Sequence, residues 1–481
     1  MLAFRRALLV LAASLLVLVA GCDEPSRADR IGVYLTDATG ANPALGCGPG
    51  TLEVRVDQGP GEHRFASEAL VSADGSFDLP LEIATYAAIT RIQVGFDLES
   101  CDLLGAVPPF SLVHVGAVMV VTGERLSCAD LDAPRLATGR TSAALVALGA
   151  NQFIVGGTTR GVSTDRLIPV ALPYLTLDDA IPNASANPLP ELTHALRETR
   201  AARLGTSRMV IASSDRVFRF DTDLREGDRE QPLEGVHEGA GGRSAVIGLG
   251  NEGVAIVGGE GVGGEGEGEG VASISWIDRT NDAVLVTPLA TARRDPSVVV
   301  VGDALLIAGG QVEGEPLYEL ARFRRPGVAV AGSPTETREG AVLVSPDRRV
   351  ALLLGGLAED GTVRADTTLV TGCPDACRFA EGSAWQSPRL APALASTARA
   401  TWLVGGESAD GVASSDVDVV RVVGDVVSVQ ALSGGLPTPR RAASAAELAD
   451  GVITVFGGVD DEGTELGTFA VCWPSELDPL E

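Results

Sequence analysis

The side chains best suited to catalysis are few in this sequence. Its four histidines are His63, His114, His194 and His237, and no two stand in the HxH or HExxH spacing that places imidazoles on one metal ion. No serine occupies the GxSxG nucleophile motif. The 64 acidic residues are spread along the chain, so no pair stands out as the two carboxylates of a glycosidase. The sequence therefore predicts no catalytic residue, no metal ligand and no cofactor.

Seven cysteines offer a different chemistry, at positions 22, 47, 101, 128, 373, 377 and 472. If Cys22 carries a lipid, as argued below, an even number remains, which in an oxidising compartment favours disulfides over metal ligation. The one close pair, Cys373 and Cys377, has no further Cys or His nearby to complete the four ligands of a structural zinc site. Other pairings stay open, but the order of preference is Cys373 with Cys377, Cys47 with Cys101, and Cys128 with Cys472.

Composition indicates an acidic, β-rich protein. The 481 residues include 37 basic ones, all of them Arg, against 64 acids, for a formal charge of -27. Nucleic acid is excluded as a partner because phosphate binding needs a basic face. Hydrophobic residues make up 45%, enough for a large core, while 58 glycines favour many tight turns over long helices. We therefore expect an all-β fold.

The first residues predict export and lipidation. Arg5 and Arg6 precede an apolar run, 7–20, that matches a secretory signal and is too short to span a bilayer. The run ends in Val19-Ala20-Gly21-Cys22, which resembles the lipobox of bacterial lipoproteins. The resemblance implies removal of residues 1–21, a lipid on Cys22 and a polar tether over 22–30, so that the membrane is a partner and the protein faces the periplasm or the cell surface. The alternative is a plain signal peptide with Cys22 a free thiol.

The strongest pattern is a repeat. An apolar run ending in a double glycine recurs, and the first glycine falls at positions 156, 258, 309, 355, 405 and 457. A module of about 50 residues therefore repeats, and the first interval holds two copies. The missing copy is 208–214, where Ser213 and Ser214 take the glycine places. The repeated glycines are Gly156, Gly157, Gly258, Gly259, Gly309, Gly310, Gly355, Gly356, Gly405, Gly406, Gly457 and Gly458.

Each complete module also begins with an arginine, 15 to 17 residues before its first glycine: Arg140, Arg243, Arg294, Arg338, Arg389 and Arg441. Between arginine and glycines lie two apolar stretches divided by a turn, which predicts a hairpin, and further strand candidates follow the glycines. A backbone bend and close strand approach account for the glycines without any ligand. We expect the arginines to pair with carbonyls or acids between modules.

Four strands per module, an arginine-led first strand and a double glycine resemble kelch repeats over residues 131–481. The resemblance implies a kelch-like β-propeller of about seven blades. The aromatic residues of the kelch unit are mostly missing, with Trp276 and Trp473 as relics. We assign the propeller to 114–481 and expect Ala117–Val121 to close the ring beside Thr468–Trp473, which would bring Cys128 to Cys472. Period-two stretches over 31–113 predict a small β-sandwich ahead of it.

These observations favour a lipid-anchored propeller of the bacterial cell envelope that acts as a non-enzymatic scaffold for a protein or glycan. The alternative is an envelope carbohydrate-active enzyme that resembles the sialic-acid mutarotases, with Arg and Glu at the channel mouth. A third interpretation is a purely structural surface protein. Galactose oxidase shares a kelch propeller, but its copper site needs two Tyr and two His, and no His follows residue 237 here.

Overall fold

A computed structural model describes residues 30–478, apart from 40, 44–46, 48–49, 59–61, 69–75, 81–88, 99–100, 112–116, 149–150, 164–166, 171–195, 197, 215, 226–227, 242, 262–268, 311–317, 333–337, 339, 359 and 424–425. The signal sequence, Cys22 and residues 22–29 of the tether lie outside these residues. The regular elements described are β-strands, together with one 3-10 turn at Gly250–Glu252. The all-β prediction is confirmed. Among the described residues, no helix has the length and apolarity to cross a membrane.

The first seven strands form one sheet in the order β3-β2-β5-β6-β7-β1-β4. The strands are β1 (Arg30–Thr36), β2 (Gly50–Gln58), β3 (Glu62–Glu68), β4 (Ser76–Pro80), β5 (Ile89–Leu98), β6 (Cys101–Ser111) and β7 (Ala117–Glu124). Alternate side chains, such as Val54, Val94 and Val118, are buried in one common core. The predicted sandwich is therefore a single curled sheet, because strand pairing continues without a break from β3 to β4 and the sheet packs on itself.

The rest of the described residues form seven successive main sheets, which we call blades 1 to 7, and a separate two-stranded hairpin that we count with blade 1. Blade 1 contains β9 (Ala144–Leu148), β10 (Asn151–Val155) and β13 (Leu167–Val170), with the hairpin β11 (Thr158–Thr159) and β12 (Val162–Ser163); blade 2 contains β14 (Arg200–Arg203), β15 (Arg208–Ser213), β16 (Arg216–Asp221) and β17 (Glu230–Pro232); blade 3 contains β18 (Ala245–Gly248), β19 (Gly253–Val257), β20 (Val271–Asp278) and β21 (Val284–Arg293).

Blades 4 to 7 are four-stranded antiparallel sheets. Blade 4 contains β22 (Ser297–Val301), β23 (Ala304–Ala308), β24 (Tyr318–Arg322) and β25 (Val328–Ala329); blade 5 contains β26 (Val342–Val344), β27 (Ala351–Leu354), β28 (Thr367–Thr371) and β29 (Arg378–Glu381); blade 6 contains β30 (Ala393–Ser396), β31 (Ala400–Val404), β32 (Val417–Val423) and β33 (Val426–Ala431); blade 7 contains β34 (Ser444–Ala449), β35 (Val452–Phe456), β36 (Thr468–Cys472) and β8 (Cys128–Arg135).

Apolar cores lie between neighbouring blades and close the ring. In β15, Met209 and Ile211 pack against blade 1, while Val210 between them packs against blade 3. The same alternation continues to blade 7, whose Val452 and Phe456 share a cluster with residues of blade 1. A strand with both faces buried reads as an unbroken apolar run, which is the pattern of the repeats. The seven sheets therefore form a seven-bladed β-propeller, as the repeats predict.

The strand that closes the ring is not the predicted one. Ala117–Val121 belongs to β7, which pairs in parallel with β1, and Val118 and Val120 are buried in the core of the N-terminal sheet. The fourth strand of blade 7 is instead β8, which pairs antiparallel with β36. The predicted boundary at residue 114 is therefore wrong, because β7 is the neighbour of β6 and the ring begins after Glu124.

Three disulfides join Cys47 to Cys101, Cys128 to Cys472, and Cys373 to Cys377, which are the pairs that the sequence favours. The second follows from strand register, because Cys128 of β8 stands directly opposite Cys472 of β36. It links residues 344 positions apart and holds the two ends of the ring together.

Candidate functional site

The repeated arginines and double glycines form one hydrogen-bonded framework around the propeller. The side chains of Arg140, Arg293, Arg389 and Arg440 are buried, and each donates to the carbonyl of the first glycine in the double glycine that follows it in the chain. The carbonyl of each leading arginine faces the preceding blade. For example, the second glycine of blade 6, Gly406, donates its N–H to Arg440 O at 2.8 Å. Gly458 of blade 7 makes the same bond to Arg140 of blade 1, which closes the framework.

This framework explains the glycines. All of the paired glycines have a positive φ, from 59° at Gly156 to 135° at Gly259. A Cβ added to Gly405 would stand 2.3 Å from the carbonyl oxygen of Arg440, so a side chain there would push two blades apart. The glycines therefore serve the contact between blades, as the sequence predicts.

Two of the predicted leading arginines are displaced by one residue. Arg293 and Arg440 are fully buried, whereas Arg294 and Arg441, which the repeat spacing selects, are about a third exposed and pair with Glu260 and Glu407 of the preceding blade. The two side chains of each tandem pair, Arg293 with Arg294 and Arg440 with Arg441, point in opposite directions. Only the first member of each pair therefore reaches the glycine carbonyl. The spacing alone cannot distinguish the two members.

Acidic side chains neutralise three of these buried arginines, Arg293, Arg389 and Arg440. Glu319 of β24 accepts hydrogen bonds from the backbone N–H groups of Ala290 and Thr291 and from Arg293 Nε at 2.8 Å. Arg389 pairs with the buried Asp418, and Arg440 pairs with Asp130 of the closing strand at 2.8 Å. Because these charges are paired inside the protein, the buried arginines serve the fold.

In blade 3 a histidine takes the place of the arginine. His237 Nε2 lies 2.9 Å from Gly258 O, and Nδ1 lies 2.7 Å from Ser275 Oγ. A carbonyl only accepts, so Nε2 carries the proton and Nδ1 accepts from Ser275. Burial lowers the pKa of His237, although the bond to Gly258 opposes this effect. The ring is buried and fills the arginine position between two strands.

The double-glycine end of the propeller carries a set of short hairpins, which we call the hairpin face. They follow the glycines directly at Thr158–Ser163, Leu357–Val363, Glu407–Ala413 and Val459–Glu465, each closed by a β-bridge or a short ladder. Their tips are exposed and largely acidic, as at Asp410 and Asp461, with Val162 and Val412 also exposed. Every double glycine lies where its blade contacts the next one, at the same end of the ring. The hairpins that follow the glycines therefore all project from that end.

The N-terminal sheet packs on the opposite end. Leu104 and Ala106 of β6 join the apolar cluster between blades 7 and 1. The indole of Trp473 lies so close to Gly123 that an added Cβ would stand 2.3 Å from the ring, and its Nε1 donates to Val121 O at 3.4 Å. We call this contact the junction. It joins the sheet to the turns that end the inner strands of the propeller.

Titratable groups concentrate at the junction. Glu447 lies on the inner strand β34, Asp450 in the turn after it and Asp478 in the C-terminal segment. Burial raises the pKa of Glu447 to about 7 and that of Asp450 to about 6, and it also raises the pKa of Asp478. The N-terminal sheet contributes Arg91, whose guanidinium lies 3.8 Å from Asp450, and Gln93, which donates to Asp478 O.

Carboxyl groups that carry protons near neutral pH can act as acids, bases or proton sensors. Sequence patterns did not reveal this cluster, because Asp450-Gly451 reads as an ordinary hairpin turn and Arg91 lies in another domain.

No group of three His, Cys, Asp or Glu among the described residues is arranged to hold a metal ion. His63, His114 and His194 lie where the structure describes no side chain.

Comparisons with known proteins add a likeness at the level of the fold. No protein-family model and no curated protein matches the chain. Solved structures do match, and one of them, described as "Structure of YjhT", shares 12% sequence identity with this chain at a TM-score of 0.43. The match covers 58% of this chain and 95% of the YjhT chain.

Proposed function

We propose that this chain is a lipid-anchored β-propeller of the bacterial cell envelope that presents its hairpin face to a protein or glycan, without catalysis. The observation that carries the proposal is the arrangement of the two ends of the ring. The N-terminal sheet, to which the lipid tether would lead, packs against blades 7 and 1 at one end, and the hairpins project from the other. The three disulfides support export, because such bonds persist in oxidising compartments.

The hairpin face has the features of a recognition surface. Its loops can vary while the arginine and glycine framework beneath them holds their position. The acidic tips favour a partner with basic or hydroxyl-rich groups, and Val162 and Val412, exposed by 68% and 53%, offer apolar contacts. The kelch-like repeat would then supply a rigid platform, and the loops would supply specificity.

The anchor is tested by substitution of the lipidated residue. We expect Cys22→Ser to move the protein from the membrane to the soluble fraction, and mass spectrometry should show loss of the acyl chains. A variant that stays acylated and membrane-bound would contradict this part of the proposal.

The binding face is tested with the soluble ectodomain on arrays of envelope glycans and by capture of purified envelope proteins. We expect Val412→Arg to weaken binding about tenfold or more, because it replaces an apolar contact with a positive charge on a face that favours basic partners. Val426→Arg is the matched control, since Val426 is similarly exposed at 66% but lies on the outer strand β33. Equal binding by both variants would exclude the hairpin face.

The mutarotase-like alternative is favoured by one observation. Glu447 lies on an inner strand, and its pKa of about 7 suits a group that both gives and takes a proton at neutral pH. Exchange of sugar anomers, including those of sialic acid, can be followed by NMR. Acceleration by the wild type that is lost in Glu447→Gln would support the enzyme over the scaffold.

A further inference from the structure

The junction buries more acidic groups than its cations can neutralise. Asp450 has a side chain only 5% exposed, and the nearest cation is Arg91 at 3.8 Å. The charge of Asp478 raises the pKa of both Glu447 and Asp450 further, Asp450 adds to the rise at Glu447, and Asp57 of β2 adds to the rise at Asp450. Like charges held together away from water repel each other strongly. The docked arrangement is therefore most stable when some of these carboxyls are neutral.

Two buried oxygens at the junction lack a donor. Neither Asp450 Oδ2 nor Gln93 Oε1 accepts a hydrogen bond from a described residue, and both side chains are more than nine-tenths buried. Gln93 Nε2 donates to Asp478 O, and the Gln93 side chain also hydrogen bonds to the Asp450 carboxyl, which leaves Oδ2 of that carboxyl without a donor. A buried acceptor without a donor is costly. A proton on Asp450 Oδ2 removes the negative charge and turns this acceptor into a donor.

We propose that the junction is a proton-operated latch: the N-terminal sheet docks tightly on blade 7 when Asp450 and Glu447 are protonated and loosens when they ionise. The latch joins two units that are otherwise covalently linked only through residues 125–127, between β7 and β8. Loosening would free the propeller to tilt relative to the membrane-side sheet. The hairpin face would then have one orientation relative to the membrane at acidic pH and another at neutral pH when it meets its ligand.

The groups facing the two acids come from every element at the junction. The N-terminal sheet contributes Arg91, Gln93 and Asp57, and the C-terminal segment contributes Asp478. Asp478 is in turn held by Ala398 N–H at 2.9 Å and by the charges of Arg399 and Arg421. These cations offset part of the repulsion. Arg399 and Arg421 act on Asp478 rather than on Glu447. Of the two latch acids, Glu447 has the higher pKa.

The sign of the pH effect follows from the direction of the shifts. The docked acids have pKa values of about 6 and about 7, raised above the ordinary values of 3.8 and 4.5. A group with a raised pKa stabilises the docked state below its ordinary pKa, and this contribution is lost as the pH rises through the raised value. Docking should therefore weaken as the pH rises from about 4.5, most steeply up to about 6, less steeply from 6 to 7, and hardly at all above about 7.

Hydrogen exchange on the full ectodomain tests the latch. Amides of 117–124 and 473–478 report docking, and those of β19 and β20 in blade 3 report the distant ring. After correction for intrinsic exchange rates, we expect junction protection to fall about tenfold or more from pH 5.5 to pH 8, whereas protection of blade 3 should not fall over this range, because the lowered pKa of His237 makes the ring more stable as the pH rises. Constant junction protection over this range would overturn the proposal.

Matched variants separate the latch from a general loss of stability. Glu447→Gln combined with Asp450→Asn removes both titrations, so protection at the junction should depend much less on pH, with Asp478 as the remaining junction acid of raised pKa, and should exceed that of the wild type at pH 8. The control Asp303→Asn, an exposed acid in a turn of blade 4, should keep the wild-type pH dependence. If the double variant does not fold, the single Glu447→Gln should still shift the midpoint to lower pH. An unchanged midpoint in that variant would also refute the latch.

Discussion

Loss of the disulfide between Cys128 and Cys472 should destabilise the propeller far more than loss of the other ring disulfide. In the chain-entropy model the stabilisation by a disulfide grows with the logarithm of the loop that it closes. The separation of 344 residues gives about 6 kcal/mol for Cys128–Cys472, whereas the separation of 4 gives about 2 kcal/mol for Cys373–Cys377. The double variants Cys128→Ala/Cys472→Ala and Cys373→Ala/Cys377→Ala therefore form a matched pair.

Tryptophan fluorescence in urea measures this difference on the ring alone. All four tryptophans, Trp276, Trp385, Trp402 and Trp473, lie after Arg135 and are buried in the ring. We expect the first variant to unfold at a clearly lower urea concentration than the second, with a larger loss in the free energy of unfolding. Equal losses, or a larger loss in the second variant, would refute the view that β8 and its disulfide close the ring.

Three further predictions concern the framework between blades. Glu319→Gln should cost about 3 kcal/mol or more in urea unfolding, because it leaves the buried Arg293 without a counter-charge; a loss below about 1 kcal/mol would show that the ion pair is not needed. Gly405→Ala should lower the melting temperature by several degrees, since its Cβ would meet Arg440 O, whereas Gly361→Ala has open space and should lower it less; equal shifts would contradict the close contact. Stability should also fall as the pH drops below about 6.5, because burial lowers the pKa of His237, and His237→Gln should reduce this slope in thermal melts.

The fold could be predicted from the sequence because every blade of the propeller repeats the same short-range sequence pattern. Each module places an apolar hairpin between an arginine and a double glycine, and this order fixes the strands, the turns and the positions that need a positive φ. The period then gives the number of blades. None of these features depends on how distant segments pair, so the chain alone could reveal them.

The closing strand and the titratable cluster depended on tertiary contacts instead. The two candidates for closure, β7 and β8, are adjacent in sequence. Strand β7 belongs to the N-terminal sheet because Val118 and Val120 are buried in the core of that sheet. The choice between Arg440 and Arg441 was likewise settled by which side chain reaches Gly457.

The sequence by itself determined the repeat, the blade count and the cysteines available for pairing, because these follow from short-range patterns. The tertiary structure alone decided which acids hold protons. Glu447 and Asp450 become unusual only when the fold buries them at the junction, where loss of solvent raises the pKa of each more than Arg91 of the N-terminal sheet lowers it. Burial between two domains sets the pKa of a carboxyl group, and burial is a property of the assembled fold.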